Sequence, residues 1–67
     1  MDNLEEQGYI TLGRNHDLIH SPEQNGCYIQ EYKMDGSGRS RTSTIYPNAK
    51  DAMLAYTANT AIYGKWS

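Results

Sequence analysis

The chain has 67 residues, with six Lys and Arg against eight Asp and Glu for a formal net charge of −2. That length excludes a second core and predicts one marginally stable domain, residues 1–67, because a chain so short buries only about 60% of the surface it exposes when unfolded. The small net charge speaks against a general nucleic-acid binder, although a local patch can override a global sum.

Cys27 is the only cysteine, so no disulfide can form within the chain. A lone cysteine and no signal-like apolar stretch predict a soluble protein of a reducing cytoplasm. No apolar run approaches the roughly 20 residues of a membrane span, so no membrane partner is expected. Large aliphatics are few: four Leu, five Ile and three Met, with neither Val nor Phe. Six Tyr and Trp66 must therefore supply much of the large buried surface. A tyrosine has a polar tip that needs a partner or water, so such cores leave rings half exposed.

In chain order, residues 1–8 read as a flexible start. Residues 9–12 alternate as a short strand, Gly13-Arg14-Asn15 is a turn, and residues 16–20 return as a second strand. Residues 21–26, with Pro22 and Asn25-Gly26, form a turn cluster. Residues 27–34 carry the clearest strand signal. Tyr28, Gln30, Tyr32 and Met34 share one face; Cys27, Ile29, Glu31 and Lys33 share the other. Asp35-Gly36-Ser37-Gly38 is a hairpin loop, and residues 39–46 form its partner strand. There Arg41, Ser43 and Ile45 are expected on one face, Thr42, Thr44 and Tyr46 on the other.

Pro47 ends the sheet. Asn48 is positioned as an N-cap, with Asp51 three residues on. The helix is expected over residues 49–63, closed by a left-handed Gly64, with Trp66 folding back onto the sheet. The fold class is α+β: a small antiparallel sheet of about four strands in two hairpins, then one C-terminal helix on one face.

At about 100° per residue, one helix face holds Ala49, Ala52, Met53, Tyr56, Thr60 and Tyr63, the other Leu54, Ala55, Ala58, Ala61 and Ile62. The only charges, Lys50 and Asp51, sit in the first turn. One weakly polar face can cover the sheet while the other meets a partner or a second copy. The bland alternative is that alanine forms helices well and tolerates solvent.

No catalytic set emerges. His16 and His20 are four apart, but in a strand that spacing separates them by about 13 Å, a poor fit to zinc. Cys27 opening a strand reads as a small buried hydrophobe rather than a nucleophile. A chain this small has little capacity to enclose a substrate pocket of ordinary volume. Residues 35–40 suggest a phosphate loop, but they lack the Gly-Lys-Ser/Thr ending and no helix follows. Neither metal nor cofactor is expected. Lys33, Arg39 and Arg41, beside Tyr28, Tyr32 and Tyr46, make a candidate nucleic-acid surface. Edge-strand protection explains the same charges.

The pattern Ile10-x-Leu12-Gly13-x-Asn15-x-x-Leu18, then Pro22-x-Gln24-x-Gly26-x-Tyr28, resembles a family of tiny proteins encoded in enterobacterial lambdoid prophages. The resemblance covers roughly residues 9–60. This chain departs in a shorter segment before Pro22 and a longer, glycine-rich second hairpin. The resemblance implies a phage or prophage origin and offers no activity or catalytic residue to carry over.

Together these readings predict a non-enzymatic accessory protein of the bacterial host cytoplasm. It would act as a stoichiometric binder of a host protein, for example as an inhibitor of a nuclease or CRISPR-type defence complex. Tyr28, Tyr32, Tyr46 and Tyr56 are the expected contacts, with Arg39 and Arg41 on the rim. Two alternatives stand beside this: a nucleic-acid regulator using Lys33, Arg39 and Arg41, and an obligate homodimer joined through the helix.

Overall fold

The computed structural model describes residues 7–67. Four strands form one antiparallel sheet in sequence order: β1 (Tyr9–Thr11), β2 (His16–Ser21), β3 (Gly26–Tyr32) and β4 (Ser40–Thr42). The helix α1 (Ala49–Thr57) follows and packs against β2 and β3. This is the expected α+β arrangement. Of the expected flexible start at 1–8, residues 1–6 lie outside the described residues. Gly8 is tied to the sheet, its carbonyl accepting the His20 N–H at 2.8 Å.

The turns follow their chemistry. Asn25 closes a single 3-10 turn, Pro22–Gln24, at φ 56, a left-handed conformation that asparagine tolerates better than most residues. In the second hairpin the Asp35 carboxylate accepts the Ser37 N–H at 2.9 Å, and Gly36 and Gly38 take positive φ. Residues 35–40 are thus a hairpin loop running into β4.

Strand register sorts the side chains. Leu18 lies opposite Ile29, with Ile10 opposite Leu18 on its other side. Leu18 and Ile29 are fully buried and meet Cys27 and Ala52 in the core. Burying a side chain of that size stabilises by about 1.5–3 kcal/mol. The other sheet face, turned away from α1, carries the cross-strand row Tyr9, Ile19, Tyr28. Beside it runs the row Thr11, Asp17, Gln30, Thr42.

The expected facing of the fourth strand fails after Thr42. Gln30 pairs with Thr42, yet the next bridge joins Cys27 to Tyr46. Residues 43–45 therefore oppose only Tyr28 and Ile29, a β-bulge. The extra residue reverses the alternation. Tyr46 packs on the core, on the side of Arg41 and Ser43 rather than that of Thr42, and Ile45 turns outward.

Asn48 caps α1 as expected, its Oδ1 accepting the Asp51 N–H at 2.9 Å. Ala49, Ala52, Met53 and Tyr56 face the core, and Leu54 is exposed. The helix ends well short of the expected 63. Asn59 takes φ 58, and the bonds Asn59 N–H to Tyr56 O (3.1 Å) and Thr60 N–H to Ala55 O (2.9 Å) close a Schellman motif.

The following segment lies antiparallel along β4. Thr44 N–H reaches Ile62 O at 3.0 Å, Gly64 N–H reaches Thr42 O at 2.9 Å, and Ser67 N–H reaches Ser40 O at 2.8 Å. These bonds place 62–67 in extended chain, so Gly64 is not a helix cap. They also cover backbone groups that β4 would otherwise present as a sheet edge.

Candidate functional site

His16, Glu31 and Arg41 stand side by side on β2, β3 and β4, on the sheet face that α1 covers. Strand register alone brings them together. Glu31 is held from both sides: its Oε1 accepts from Arg41 Nε, and its Oε2 lies 3.3 Å from His16 Nε2. The His16 ring packs at a tilt on Tyr56, centroids 5.1 Å apart, and more loosely on Tyr63 at 6.3 Å. The Arg41 guanidinium carbon lies 4.8 Å from the Tyr63 ring centroid and 4.4 Å from that of Trp66. At such distances a cation gains about 0.5–2 kcal/mol from each ring face.

The row forms the floor of an open cleft of about 620 Å³, walled by Tyr56, Thr57 and Asn59 at the end of α1 and by Ala61 and Tyr63 beyond it. A cleft of ordinary ligand size is therefore present on a chain expected to have little room for one. It is open rather than enclosed, and the early end of α1 lets the chain turn and form its far wall. Burial, and then the Glu31 charge, holds the Tyr63 phenol above its ordinary range.

The residues named from sequence separate into distinct regions. Tyr28 and Tyr32 lie on the sheet face away from α1, with Tyr32 39% exposed. There the Tyr32 hydroxyl donates to Gln30 Oε1 at 3.4 Å. Partial burial and then the Asp17 carboxylate raise its pKa. Tyr46 packs against the core, while Tyr56 and Arg41 line the cleft. Arg39 donates from Nε to the Ser67 carbonyl at 2.7 Å. Lys33 lies 3.8 Å from Asp35 and 5.6 Å from the Trp66 ring centroid. The seven do not form one surface.

Sequence reasoning missed His16, Glu31, Tyr63 and Trp66 as a group. Alternation placed Glu31 on the Cys27 face and predicted that His16 would share a face with His20, but the register that aligns the strands was not readable. His20 stands opposite Cys27 at the far end of β2, away from His16. The Cys27 thiol is buried, and burial pushes its pKa up, the reverse of nucleophilic activation.

No protein-family model, curated protein or solved structure matches this chain. Among the described residues no helix is long and apolar enough to cross a membrane.

Proposed function

We propose that this protein is a non-catalytic, stoichiometric binder of another protein, acting for a phage or prophage on a bacterial target such as a nuclease or CRISPR-type defence complex. The observation that carries the binding role is the sheet face that α1 leaves uncovered. Tyr9 and Tyr32 are 47% and 39% exposed there. Tyr9 shares a cross-strand row with Ile19 and Tyr28, and Tyr32 stands four residues along β3 from Tyr28, beyond the row of Asp17 and Gln30. Tyrosines on a rigid sheet offer large contact area with little side-chain entropy to lose, the composition favoured at interface centres. The bacterial target rests on the resemblance of residues 9–60 to the prophage family.

Nucleic acid is the weaker reading. Arg41 is held by Glu31, Lys33 lies near Asp35, and Arg39 is bonded to the Ser67 carbonyl. Lys33 and Arg39 are thus engaged within the fold, which leaves of the three only the Nη end of Arg41, one cation where a nucleic-acid backbone needs several.

The test is affinity capture from a bacterial lysate, with and without nuclease, using the wild-type chain and a folded Tyr9→Ala/Tyr32→Ala double variant. A protein retained at near-equal amount by the wild type after nuclease treatment, and lost by the variant, is the expected result. Equal retention by both chains refutes the tyrosine face. Recovery that disappears with nuclease transfers the function to nucleic acid, and binding should then weaken steeply with salt.

A further inference from the structure

We infer that the cleft over the His16–Glu31–Arg41 row is a second, separate site that binds a small molecule through an oxyanion, a carboxylate or a phosphate, received by the Arg41 guanidinium. The first ground is how Arg41 is held. Glu31 takes its Nε, and Tyr63 and Trp66 pack on the guanidinium with centroids at 4.8 and 4.4 Å. Among the described residues, only Nε finds a side-chain acceptor. The two Nη nitrogens are left to form a fork that matches two oxygens of one oxyanion. An arginine already fixed in place loses less freedom on binding than a mobile one, which is how preorganisation raises affinity.

The second ground is local charge. The chain is net negative, yet four of its six Lys and Arg lie in the β3–β4 hairpin, β4 or the C-terminal segment beside it: Lys33 just after β3, Arg39 just before β4, Arg41 in β4, and Lys65 in that segment. The carboxylates in contact with these cations are Glu31 and Asp35. Glu31 would repel an anion if it were free. Its Oε1 instead accepts from Arg41 Nε, and its Oε2 lies 3.3 Å from His16 Nε2.

The third ground is shape. A volume of about 620 Å³ falls in the usual range for small-ligand pockets, roughly 300–1,000 Å³. Tyr56 and Tyr63 give the cleft aromatic walls against which a flat ligand body can rest. The site lies on the opposite side of the sheet from the exposed tyrosines. It therefore stands or fails independently of the protein-binding role.

The experiment is a proton–nitrogen NMR titration of the full chain with three probes of similar shape: phenyl phosphate, benzoate and neutral benzamide. Saturable shifts at Arg41 Nε–H, His16, Tyr56 and Tyr63 are expected with at least one anion and not with benzamide. Whichever anion binds more tightly identifies the oxyanion. Arg41→Lys, which keeps the charge and removes the fork, should weaken that binding roughly tenfold, whereas Tyr32→Ala should leave it unchanged. The proposal is overturned if neither anion gives saturable shifts, if benzamide matches them, or if a folded Arg41→Lys binds as well as the wild type. A single-stranded oligonucleotide that displaces phenyl phosphate at a hundredfold lower concentration also overturns it, assigning the corner to nucleic acid. The anion-versus-benzamide comparison is made on the wild type and does not depend on any variant folding.

Discussion

The Ser43 hydroxyl accepts the backbone N–H of Ile29 at 2.8 Å, while the Ser43 N–H reaches back to the Ile29 carbonyl at the same distance. A side-chain oxygen stands where an uninterrupted ladder would supply a carbonyl. This is why a polar residue only 7% exposed is tolerated beside the core, and why the chain can absorb an extra residue there without leaving a buried donor unmatched.

Removing that oxygen should be costly. Ser43→Ala leaves the Ile29 N–H without its acceptor at a fully buried position, a loss of about 1–3 kcal/mol. For a domain of this size each kcal/mol corresponds to roughly 4–8 °C in Tm. Thermal melting should show the drop. A Tm within about a degree of wild type would mean that a water or a shifted ladder replaces the hydroxyl.

Gly26 lies where Tyr46 returns to the sheet. A Cβ at this position would sit 2.2 Å from the Tyr46 carbonyl oxygen and 2.8 Å from Ile45 Cγ2. The carbonyl belongs to the bulged strand and cannot move without breaking the Cys27 N–H to Tyr46 O bond at 2.8 Å. Gly26→Ala should therefore destabilise by about 1–3 kcal/mol or more, as other overpacked sites do. Gly13→Ala, whose nearest neighbour is the movable Tyr56 hydroxyl at 3.0 Å, should cost much less. Urea unfolding of the two variants gives the comparison.

Asn59 ends the helix in a left-handed conformation. Asn59→Gly should hold or raise stability, because glycine adopts that conformation without a Cβ penalty. Asn59→Ala should lose about 1–2 kcal/mol. If both variants melt together, the Schellman turn is not what stops the helix.

Alkaline pH should weaken the fold in a defined order. Burial holds the Cys27 thiol above its ordinary value, so as pH passes about 8.5 the unfolded thiol ionises first and the native one stays protonated. The unfolded state then binds fewer protons, and stability falls until the pH reaches the raised native value. Tyr63 and Tyr32, also raised, should add a second fall above about pH 10. Urea unfolding across pH 7–11 should show both, with Cys27→Ala flattening the first and Tyr63→Phe reducing the second. A flat profile for the wild type would show that neither group titrates differently in the two states.

Much of this architecture is decided within a few residues and is therefore readable along the chain. Alternation from Cys27 to Tyr32 sets the two sides of β3, because successive strand residues point to opposite faces. Asn48 and Asp51 mark the helix start through one local hydrogen bond, and the glycines and Asp35 shape the second hairpin.

What escaped sequence reasoning depends on partners distant along the chain. The helix signal continued past Asn59 in alanine-rich sequence, but residues 62–67 find backbone partners on β4, and those bonds draw the chain into extended form. The bulge at 43–45 turns Tyr46 onto the core, at the point where the Ser43 hydroxyl accepts the buried Ile29 N–H. The His16–Glu31–Arg41 row is likewise a product of register across three strands. The sequence by itself determined which residues turn, cap and alternate, because those preferences act over one to four residues. Only the tertiary structure decided which side chains share a site, because one residue of slip in a strand exchanges its two faces.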